Sequence, residues 1–512
     1  MSIQAISENQ TEVSTSAGSG PIVFAAIATA LAGLLFGYDT GVAAGIQGYL
    51  QEYFHLTGLQ LGFAIACLDL GCIAGAMVAG SLSDRFGRRK VMIISGSLFI
   101  VSGLLSAIPT HLYQLVLARI LGGLAIGASS MVAPVYMAEI SPEKHRGRLG
   151  SLFQLGIVVG IALVYWVNYL ILHLGNHLQT SAPGTNWNLS YGWRWMLGSE
   201  SLPAVLFLFM VLAIRESPRW LIIVNREPEA RKILTHILGA GRADAEIAAV
   251  RQVARDEQGR LSELFASRYR LPLFIALFMA IFSQFSGINS IIYYAPRVFG
   301  AAGMKTSSAF GSTALVGMVN LAFTFIAVGY VDRAGRKILL SIGTAIQACA
   351  LACVGAVFLL APKVPAFQAD GKVHFQEGLS HAKFMEFAKE AHSSIVLSPH
   401  FSHGQVIILL ASVLVFIAAF AMAMGPMPWI LISEIFPARI RGRAASIGVL
   451  ALWAAIFIVA QTFPWLKENI GLAATYFIYA GCSFVSFLFA VFILPETKGR
   501  TLEEIEASWQ QR

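Results

Sequence analysis

The chain of 512 residues is 56% hydrophobic and 12% charged, whereas soluble proteins carry about 25% charged residues. With a mean hydropathy of +0.68, this composition excludes an ordinary soluble protein and predicts one that crosses a membrane several times. The net charge of +8 comes largely from Lys and Arg in loops between apolar runs, a pattern that indicates membrane orientation and argues against nucleic acid as a partner.

Residues 1–20 are polar and lack the basic start of a cleaved signal peptide, so we expect a disordered cytoplasmic N-terminus. Twelve apolar runs follow, each long enough to cross a bilayer as a helix of about 20 residues. They cover residues 21–46, 60–81, 91–109, 111–134, 149–173, 195–215, 271–299, 309–331, 338–361, 405–432, 444–465 and 472–494. Lys and Arg concentrate in the loops after the even-numbered runs, which predicts that both termini are cytoplasmic, in a plasma membrane or a bacterial inner membrane.

The runs fall into two sets of six, a first half at 21–215 and a second half at 271–494. The charged stretch between them, 216–270, has apolar residues at helical spacing, so we expect short amphipathic helices on the cytoplasmic face. A polar insertion at about 363–403 interrupts the second half on the external side. Its segment HFQEGLSHAKFMEFAKEAH suits an amphipathic helix, and residues 495–512 form a cytoplasmic tail.

Two motifs occur once in each half. DRFGRRK at 84–90 returns as DRAGRKI at 332–338, and EISPEKHRGR at 139–148 returns as EIFPARIRGR at 434–443. Internal repeats of this kind are typical of secondary transporters whose substrate site lies between the two halves.

Small residues recur at intervals of four in several runs. They are Gly33, Gly37, Gly41 and Gly45 in the first run, Gly71 and Gly75 in the second, and Gly123 and Gly127 in the fourth. This spacing lets helix backbones approach closely within a membrane, so we expect tight packing along these faces.

Other kinds of chemistry have no support in the sequence. The five cysteines lie in apolar runs without a C-x-x-C pair, and we expect small buried residues rather than disulfides or metal ligands. No hydrolase, kinase or P-loop nucleotide motif is present. The sequence therefore predicts a protein that is not an enzyme and that has neither a metal nor another cofactor.

The repeated motifs resemble the sugar porter family of the major facilitator superfamily. ESPRWL at 216–221, QFSGINSIIYYAP at 284–296 and PETKGRTLEE at 495–504 add to the resemblance, which covers nearly the whole chain. It implies an all-α membrane protein with twelve transmembrane helices in two pseudo-symmetric six-helix halves, the major facilitator fold, and a cytoplasmic helical linker. It also implies a monomer whose substrate is a monosaccharide.

Amide side chains suit sugar hydroxyls because each offers a donor and an acceptor without a charge, and Trp offers a flat apolar face. The candidates, each at a sugar-contacting position that the resemblance implies, are Gln154, Gln284, Asn289, Asn320 and Trp429, joined by Phe36 and by Tyr293 as an aromatic lid. For any one amide, an ordinary hydrogen bond between helices is the alternative.

Gln284 and Asn289 are five residues apart, or roughly 140° around a straight helix. They line one cavity most easily if the helix is interrupted, and Gly287 lies between them. Two positions depart from the family pattern. Ser283 stands where a first glutamine is usual, and Leu452 replaces a glutamine of the xylose-carrying members, so the identity of the sugar stays open.

Asp39, in the segment LLFGYDTGVAAG, places a carboxylate inside the membrane, where an ionisable group indicates function and needs a partner. Asp39, Arg119 and Glu200 lie about 27, 22 and 22 Å from the cytoplasmic ends of their helices, so their depths are compatible. The resemblance implies the same three residues as the proton-coupling group. The alternative is a static ion pair in a passive uniporter, although passive members generally have a non-titrating residue at this position.

Asp69, in the segment ACLDLGCIAG, lies about 18 Å from the cytoplasmic end of its helix and is not part of the family pattern. Three interpretations stay open. The residue is a second proton site, a polar wall of the pathway, or a donor in a hydrogen bond between helices.

Charged residues near the cytoplasmic ends form a set with counterparts in the two halves. They are Asp84, Arg85, Arg88, Glu139, Arg146 and Glu216 in the first half and Asp332, Arg333, Arg336, Glu434, Arg441 and Glu496 in the second. The resemblance implies ion pairs that latch the halves in the outward-open conformation, and topology and solvation are the plain alternative. Exposed pairs are worth about 0–1 kcal/mol each, which as a cluster can shift an equilibrium of a few kcal/mol.

The sequence therefore predicts a secondary transporter that imports a pentose or a hexose with a proton, by alternating access across the lipid bilayer. Three other functions stay open: a passive sugar facilitator, a sugar sensor that binds without transport, and an exporter of apolar drugs. The short tails disfavour the sensor, and the amide-rich candidate site disfavours the exporter.

Overall fold

The computed structural model describes residues 19–141, 146–181, 186–256, 261–369, 372–375, 396–428 and 438–496, with the single positions 385, 389, 431, 435 and 436. In this part of the chain, twelve helical stretches are long and apolar enough to cross a membrane, the number that the sequence predicts. Large apolar side chains are exposed on their outward faces. Leu202 and Phe492, for example, are each 77% accessible, which fits contact with lipid.

Seven helices form the six spans of the first half, because the sixth span is divided. They are α1 (Ser19–Tyr53), α2 (Gly58–Phe86), α3 (Arg88–Ala107), α4 (Leu112–Ile140), α5 (Arg146–Ser181), α6 (Trp193–Gly198) and α7 (Ser201–Ala213). A π-helical turn at Asn188–Gly192 leads into α6, and Ser199 and Glu200 occupy the turn between α6 and α7. The division places Glu200 at a helix break, which the sequence did not predict.

Three short helices follow in the linker, α8 (Pro218–Ile223), α9 (Glu227–Leu238) and α10 (Ala240–Asp256), and then two 3-10 turns, Leu261–Phe265 and Ser267–Tyr269. The three helices share a small apolar cluster that includes Trp220, Leu234 and Ile247. The Trp220 indole Nε1 donates a hydrogen bond of 2.8 Å to the backbone O of Asp84 at the end of α2. The linker helices therefore pack on the first half.

The second half also has a divided span, here the seventh. Its helices are α11 (Arg270–Phe285), α12 (Ile288–Ala301), α13 (Thr306–Ala334), α14 (Arg336–Leu359), α15 (His403–Met422), α16 (Ala438–Asn469) and α17 (Gly471–Phe492). The sequence predicted one run at 405–432, but α15 ends ten residues earlier, at Met422. Gly425 and Pro426 lie three and four residues further on, and a proline lacks the backbone N–H that would continue the helix.

The insertion in the second half contains a three-stranded antiparallel sheet. Strand β1 (Lys363–Ala369) pairs with β2 (Lys372–Phe375) on one side and with β3 (Val396–Pro399) on the other. The segment expected to form an amphipathic helix begins inside β2 with His374 and Phe375. Apart from Met385 and Lys389, the rest of that segment lies outside the described residues.

Glycines bring the helices of the first half into backbone contact. Gly33 and Gly37 of α1 lie against the backbone of Phe153 and Ile157 in α5, and Gly71 of α2 lies in the same way against α4. The tight packing predicted from the four-residue spacing is therefore confirmed. Between the halves, α2 packs on α16 and α5 packs on α13.

One expectation about the cysteines is wrong. Cys67 and Cys72 are buried, whereas Cys349 is exposed on α14 and Cys353 and Cys482 are half-buried. An apolar run does not distinguish a side that faces lipid from a side that faces protein, because both favour apolar residues.

The two ends of the bundle need names. The proximal end is the one at which α1 begins and α2 ends, and the distal end is the opposite one, at which α1 ends and α2 begins.

Candidate functional site

Asp39 and Arg119 form an ion pair inside the first half. Asp39 is fully buried and Arg119 is 2% exposed, and the guanidinium Nη1 donates to Asp39 Oδ1. A second guanidinium nitrogen, Nη2, lies 3.5 Å from the backbone O of Asp39. Each charge compensates the other, because removing either one would leave an unpaired charge out of water. The structure thus contains the predicted pair.

Glu200 lies near this pair at the break between α6 and α7. It is 1% exposed and interacts electrostatically with both Asp39 and Arg119. The hydroxyls of Tyr38 and Ser199, the neighbours of Asp39 and Glu200 in the chain, share a hydrogen bond of 2.8 Å. This bond joins α1 to the helix break and was not predicted. The three predicted residues therefore come together in one site.

The second carboxylate oxygen of Asp39 has room because the facing position on α4 is a glycine. A Cβ added to Gly122 would stand 3.1 Å from Asp39 Oδ2 and would collide with Ser102 Oγ, which donates to the backbone O of Ala118 at 2.8 Å. Among the described residues, Oδ2 has no hydrogen-bond partner. The carboxylate therefore keeps one oxygen available to take a proton.

The helix that carries two predicted sugar ligands is interrupted at Gly287, as the sequence predicted. Gly287 has φ +80°, in the left-handed region that favours glycine, and separates α11 from α12. Across the break, Asn289 Nδ2 donates to Gln284 Oε1 at 2.8 Å. Gln284 Nε2 in turn donates to Ser283 Oγ at 3.0 Å. The break thus brings both amides together, and Ser283 takes part as a bonding partner.

An aromatic pair joins the two halves. The rings of Phe36 in α1 and Trp453 in α16 are 5.0 Å apart between centroids. Trp453 is 1% exposed, and its indole Nε1 has no hydrogen-bond partner among the described residues. The sequence singled out Phe36 but not Trp453, whose only signal was its position beside Leu452.

The remaining predicted ligands lie at similar depth on α5 and α13. Gly37 of α1 lies against Ile157 of α5, and Gly317 of α13 lies against Ala162 of α5. Residue counts from these contacts put three predicted side chains within about 8 Å along the bundle: Phe36, Gln154 and Asn320. Asn320 is 7% exposed and Gln154 is half-buried.

Four described hydrogen bonds join the halves at the distal end, and we call them the distal contacts. The Gln47 side chain donates to the backbone O of Tyr293 (2.8 Å), and the Tyr165 hydroxyl donates to the backbone O of Ile292 (2.7 Å). The Arg297 guanidinium donates to the side chain of Gln51, and the Gln461 side chain donates to the backbone O of Leu59 (3.0 Å). Tyr293, the predicted lid, is therefore part of a closed distal end, and its side chain is 3% exposed.

The predicted charged cluster at the proximal end is assembled within the first half. Arg88 binds the Glu139 carboxylate through Nε and Nη2, each 2.9 Å from an oxygen, and its Nη1 lies 3.1 Å from Asp84 Oδ1. The Asp84 side chain is 75% exposed, so this last pair contributes little to stability. Arg85 is exposed, with its guanidinium 5.2 Å from the centroid of the Phe86 ring.

Glu216 and Glu496 hold corresponding positions in the two halves. Glu216 accepts hydrogen bonds from the first two backbone N–H groups of α3 (2.9 and 3.1 Å), and Glu496 from those of α14 (3.1 and 3.2 Å). Each helix follows the glycine of D-R-x-G-R, Gly87 or Gly335, with φ near +95°, where an added Cβ would meet the carboxylate. A carboxylate at a helix N-terminus stabilises N–H groups that have no partner within the helix.

The predicted latch between the halves stays a prediction. In the described side chains, the partners of Arg88, Glu139 and Glu216 belong to the first half. The distal contacts are closed, whereas the latch was expected in the conformation open at that end. Two predicted residues, Trp429 and Glu434, lie outside the described residues, as do the side chains of four others, Arg146, Asp332, Arg333 and Arg441.

Two halves of six spans, a buried arginine–carboxylate group and a broken helix with amides between the halves define a membrane transporter of the major facilitator fold. A family model described as Sugar (and other) transporter matches residues 25–375 and 384–509. The chain therefore belongs to this family of sugar transporters.

Similar proteins cover almost the whole chain. It is 36% identical to the arabinose-proton symporter of Bacillus subtilis (strain 168), over 98% of each chain. It is 32% identical to the galactose-proton symporter of Escherichia coli (strain K12), over 94% of this chain and 93% of the other. A solved inward-open structure of the xylose transporter from E. coli has a TM-score of 0.75 and 34% identity, over 95% of this chain and 100% of the other.

Proposed function

We propose that this protein imports a monosaccharide, either a pentose or a hexose, together with a proton. The family and the relatives named for arabinose, galactose and xylose support this substrate class. Loops rich in Lys and Arg support a cytoplasmic proximal end and cytoplasmic termini, in a plasma membrane or bacterial inner membrane. The observation that carries the proposal is the buried ion pair of Asp39 and Arg119.

Asp39 is the member of this pair that can lose its charge, because Arg stays protonated in proteins. With the external end open, Asp39 takes a proton from the external solution and releases Arg119. Glu200, which interacts electrostatically with both residues, then lies near the released guanidinium and can compensate its charge. The loaded site then closes, reopens to the cytoplasm and releases the proton there, after which Asp39 pairs with Arg119 again.

The sugar binds where the amides now bond to each other. Gln284 and Asn289 exchange their mutual hydrogen bond for bonds to sugar hydroxyls, so the empty site leaves neither amide wholly unpaired. The flat ring of Trp453, beside Phe36, suits the apolar face of a sugar ring. Gln154 and Asn320, with Trp429, supply further contacts.

The described conformation fits the state that follows release into the cytoplasm. The distal contacts close the external side. Asp39 is paired with Arg119, and Gln284 is bonded to Asn289. The position of Tyr293 within the distal contacts supports its role as a lid.

Proton coupling supplies enough free energy to concentrate the sugar. Moving one elementary charge through 100 mV is worth about 2.3 kcal/mol, and about 1.4 kcal/mol corresponds to a factor of ten. One proton per sugar therefore supports roughly 40- to 50-fold accumulation at this voltage. A variant in which Asp39 cannot ionise would lose this driving force.

We further propose that the proximal charges latch the halves while the external end is open. Arg85, exposed on α2, is available for such a contact, and Arg333 holds the corresponding position in the second repeat. Replacing Arg85 and Arg333 by Ala should reduce transport more than folding. Equal losses of transport and of folding stability, measured by uptake and by thermal unfolding, would contradict the latch.

Uptake by purified protein in proteoliposomes tests the proposed symport. With an imposed inward proton gradient, the wild type should accumulate sugar above its external concentration, take up protons, and lose both on addition of a protonophore. Asp39→Asn should equilibrate sugar without concentrating it. Glu246→Gln makes the same chemical change at an exposed position of α10 and should behave like the wild type.

The outcomes separate the candidate functions. Uphill accumulation by Asp39→Asn at wild-type levels would contradict the proposed coupling. Sugar entry into wild-type vesicles without proton uptake would indicate a passive facilitator. Sugar binding without entry would indicate a sensor. A panel of pentoses and hexoses in the same assay identifies the sugar.

A further inference from the structure

Asp69 of α2 is a buried carboxylate that the proposed cycle does not use. It is 1% exposed, and neither Oδ1 nor Oδ2 has a hydrogen-bond partner among the described residues. The nearby guanidinium of Arg119 is already paired with Asp39. An ionised carboxylate in such surroundings would be an uncompensated buried charge, whereas a protonated carboxyl is neutral.

Asp69 lies on the face of α2 that meets the second half. Gly62 packs on the backbone of Gln461, and Gly58 lies beside the carboxylate of Glu468, both on α16. Asp69 follows Gly62 by seven residues, which places it within about 20° of the same face and about 10 Å deeper in the bundle. The residue therefore sits beneath the distal contacts, at the boundary between the halves.

Titratable groups from both halves surround this carboxylate. The groups that interact electrostatically with it are Asp39 of α1, Arg119 of α4, Tyr293 and Tyr294 of α12, and Cys67 and Cys72 of α2 itself. Among the described residues, no charged group of α3 or α16 acts on it. The two tyrosines belong to the segment that forms distal contacts, so opening that end would move them away from Asp69.

We propose that Asp69 is a second proton-binding site, filled from the external solution, and that its proton must be bound before the distal contacts can form. With the distal end open, water reaches the carboxylate, which ionises and exchanges its proton with that solution. Closing buries the group, and only the protonated form can be buried without an uncompensated charge.

The proton on Asp69 has a different fate from the proton on Asp39. It comes from the external solution and returns to it when the distal end reopens, so it does not change the number of protons carried per sugar. Asp69 instead makes the rate of distal closing depend on external pH. The inference rests on the alternating access of the proposed function and holds equally for a passive carrier.

Sugar counterflow in right-side-out vesicles tests this site. Counterflow needs both ends to open and close but no net proton movement. In an Asp39→Asn background, the rate should fall about tenfold for each unit of external pH once the exposed Asp69 is mostly ionised. The double variant Asp39→Asn/Asp69→Asn should be independent of external pH and at least as fast, because an amide resembles a neutral carboxyl. Glu246→Gln in the Asp39→Asn background should keep the decline.

A second experiment measures the closing of the distal end directly. In a variant whose native cysteines are replaced by Ser, Gln461→Cys reports the open distal end, because position 461 contacts α2 when that end is closed. A membrane-impermeant maleimide reacts with the thiolate, so labelling rises with external pH in every variant. The rise should be steeper with Asp69 present than in the Asp69→Asn variant, because the open population then also increases.

Two results would overturn the inference: a counterflow rate independent of pH in Asp39→Asn, or an unchanged decline in the double variant. If the double variant is inactive, Asp69→Ser replaces it, since a hydroxyl is small and does not ionise. Inactivity of both variants would mark Asp69 as a structural hydrogen-bond donor and would also overturn the inference. Missing proton uptake by the wild type refutes symport alone, because counterflow does not measure coupling.

Discussion

At the scale of single residues, the candidate sugar site is an amide network in which each member has a partner. Asn289 donates to Gln284, Gln284 donates to Ser283, and Ser283 donates to the backbone O of Ala280 at 2.9 Å. A buried amide without partners would be costly, so this network lets the site stay folded without a sugar. Ser283 ends the network at a position where the resemblance implies a glutamine. Because serine has the shorter side chain, this part of the candidate site extends less far towards the sugar.

Asn289→Ala should weaken sugar binding. In the sugar-bound state the variant removes one amide partner of a sugar hydroxyl in a buried site. Such a loss costs about 1–3 kcal/mol, which is roughly a 5- to 150-fold increase in Kd, and titration calorimetry on the purified protein measures it. Asn469→Ala is the matched control, because Asn469 is exposed at the end of α16 and bonds only within its own helix. An unchanged Kd for Asn289→Ala would exclude this residue as a sugar ligand.

At the scale of elements, glycines with a positive φ stand where three helices begin, α12, α3 and α14. Gly287 divides the seventh span and turns Asn289 back towards Gln284. Gly87 and Gly335 stand before α3 and α14 and leave space for the carboxylates that cap those helices. The D-R-x-G-R motif therefore has a local structural role in each half, in addition to any contact between the halves.

Gly287→Ala should destabilise the broken helix. A left-handed conformation costs a residue with a Cβ about 1–2 kcal/mol, and here the Cβ would also collide with the Tyr479 ring. Gly303→Ala is the matched control, since Gly303 has φ +85° but open space around it. We expect a lower unfolding temperature for both variants and a loss of sugar binding only for Gly287→Ala. Equal sugar binding by the two variants would mean that the contact with Tyr479 has no influence on the site.

Glu216→Ala and Glu496→Ala should each destabilise one half at the proximal end. Each variant removes two hydrogen bonds and a favourable charge at a helix N-terminus, for which we expect a loss of about 1–2 kcal/mol. Chemical unfolding in detergent measures it. Glu246→Ala, on the exposed side of α10, should change the stability little. No loss in either variant would contradict the capping role.

At the scale of the whole molecule, the two halves meet by different means at their two ends. The distal end is closed by hydrogen bonds and by close approach of α2 to α16. At the proximal end, the described charged partners of Arg88 lie within the first half. Opening one end while closing the other therefore exchanges one set of contacts for another, as alternating access requires.

Gly62→Trp should hold the distal end open. Gly62 lies directly on the backbone of Gln461, which cannot move aside as a flexible side chain can. The variant should bind sugar from the external solution and fail to transport it, as measured by binding and uptake with the same labelled sugar. Gly48→Trp is the control, because Gly48 is exposed near the same end with open space around it. Normal uptake by Gly62→Trp would show that this contact is not part of closing.

Local properties of the sequence predicted much of this structure. The twelve spans, the break at Gly287 and the glycine contacts each depend on a few neighbouring residues, so periodicity and residue size were sufficient. The capping role of Glu216 was missed because its partners lie 127 and 128 residues away. In the insertion, Asp-Gly at 370–371 separates β1 from β2 and is a typical hairpin signal that the apolar-run pattern does not capture. The pairing of β1 with β3 spans a long intervening segment and leaves no local pattern.

The sequence predicted which residues belong to the candidate site better than it predicted how their side chains contact one another. Resemblance supplied Asp39, Arg119 and Glu200, and helix depth supported the grouping, but the hydroxyl pair of Tyr38 and Ser199 depends on how α1 meets the divided sixth span. The helix break at Glu200 lies between Gly198 and Pro203. Pro203 lacks the backbone N–H that would bond to Ser199, but both residues lie inside one continuous apolar run, so hydropathy alone did not reveal the break.

The distal contacts have a consequence for the medium in which the protein works. All four acceptors are uncharged, three of them peptide carbonyls. Dissolved ions screen exposed charges within about 8–10 Å at ordinary ionic strength, but they barely weaken a hydrogen bond between uncharged groups. Three of the four contacts join uncharged groups and should therefore hold equally at low and at high salt, whereas the bond from the charged Arg297 guanidinium to Gln51 is the one that salt can weaken.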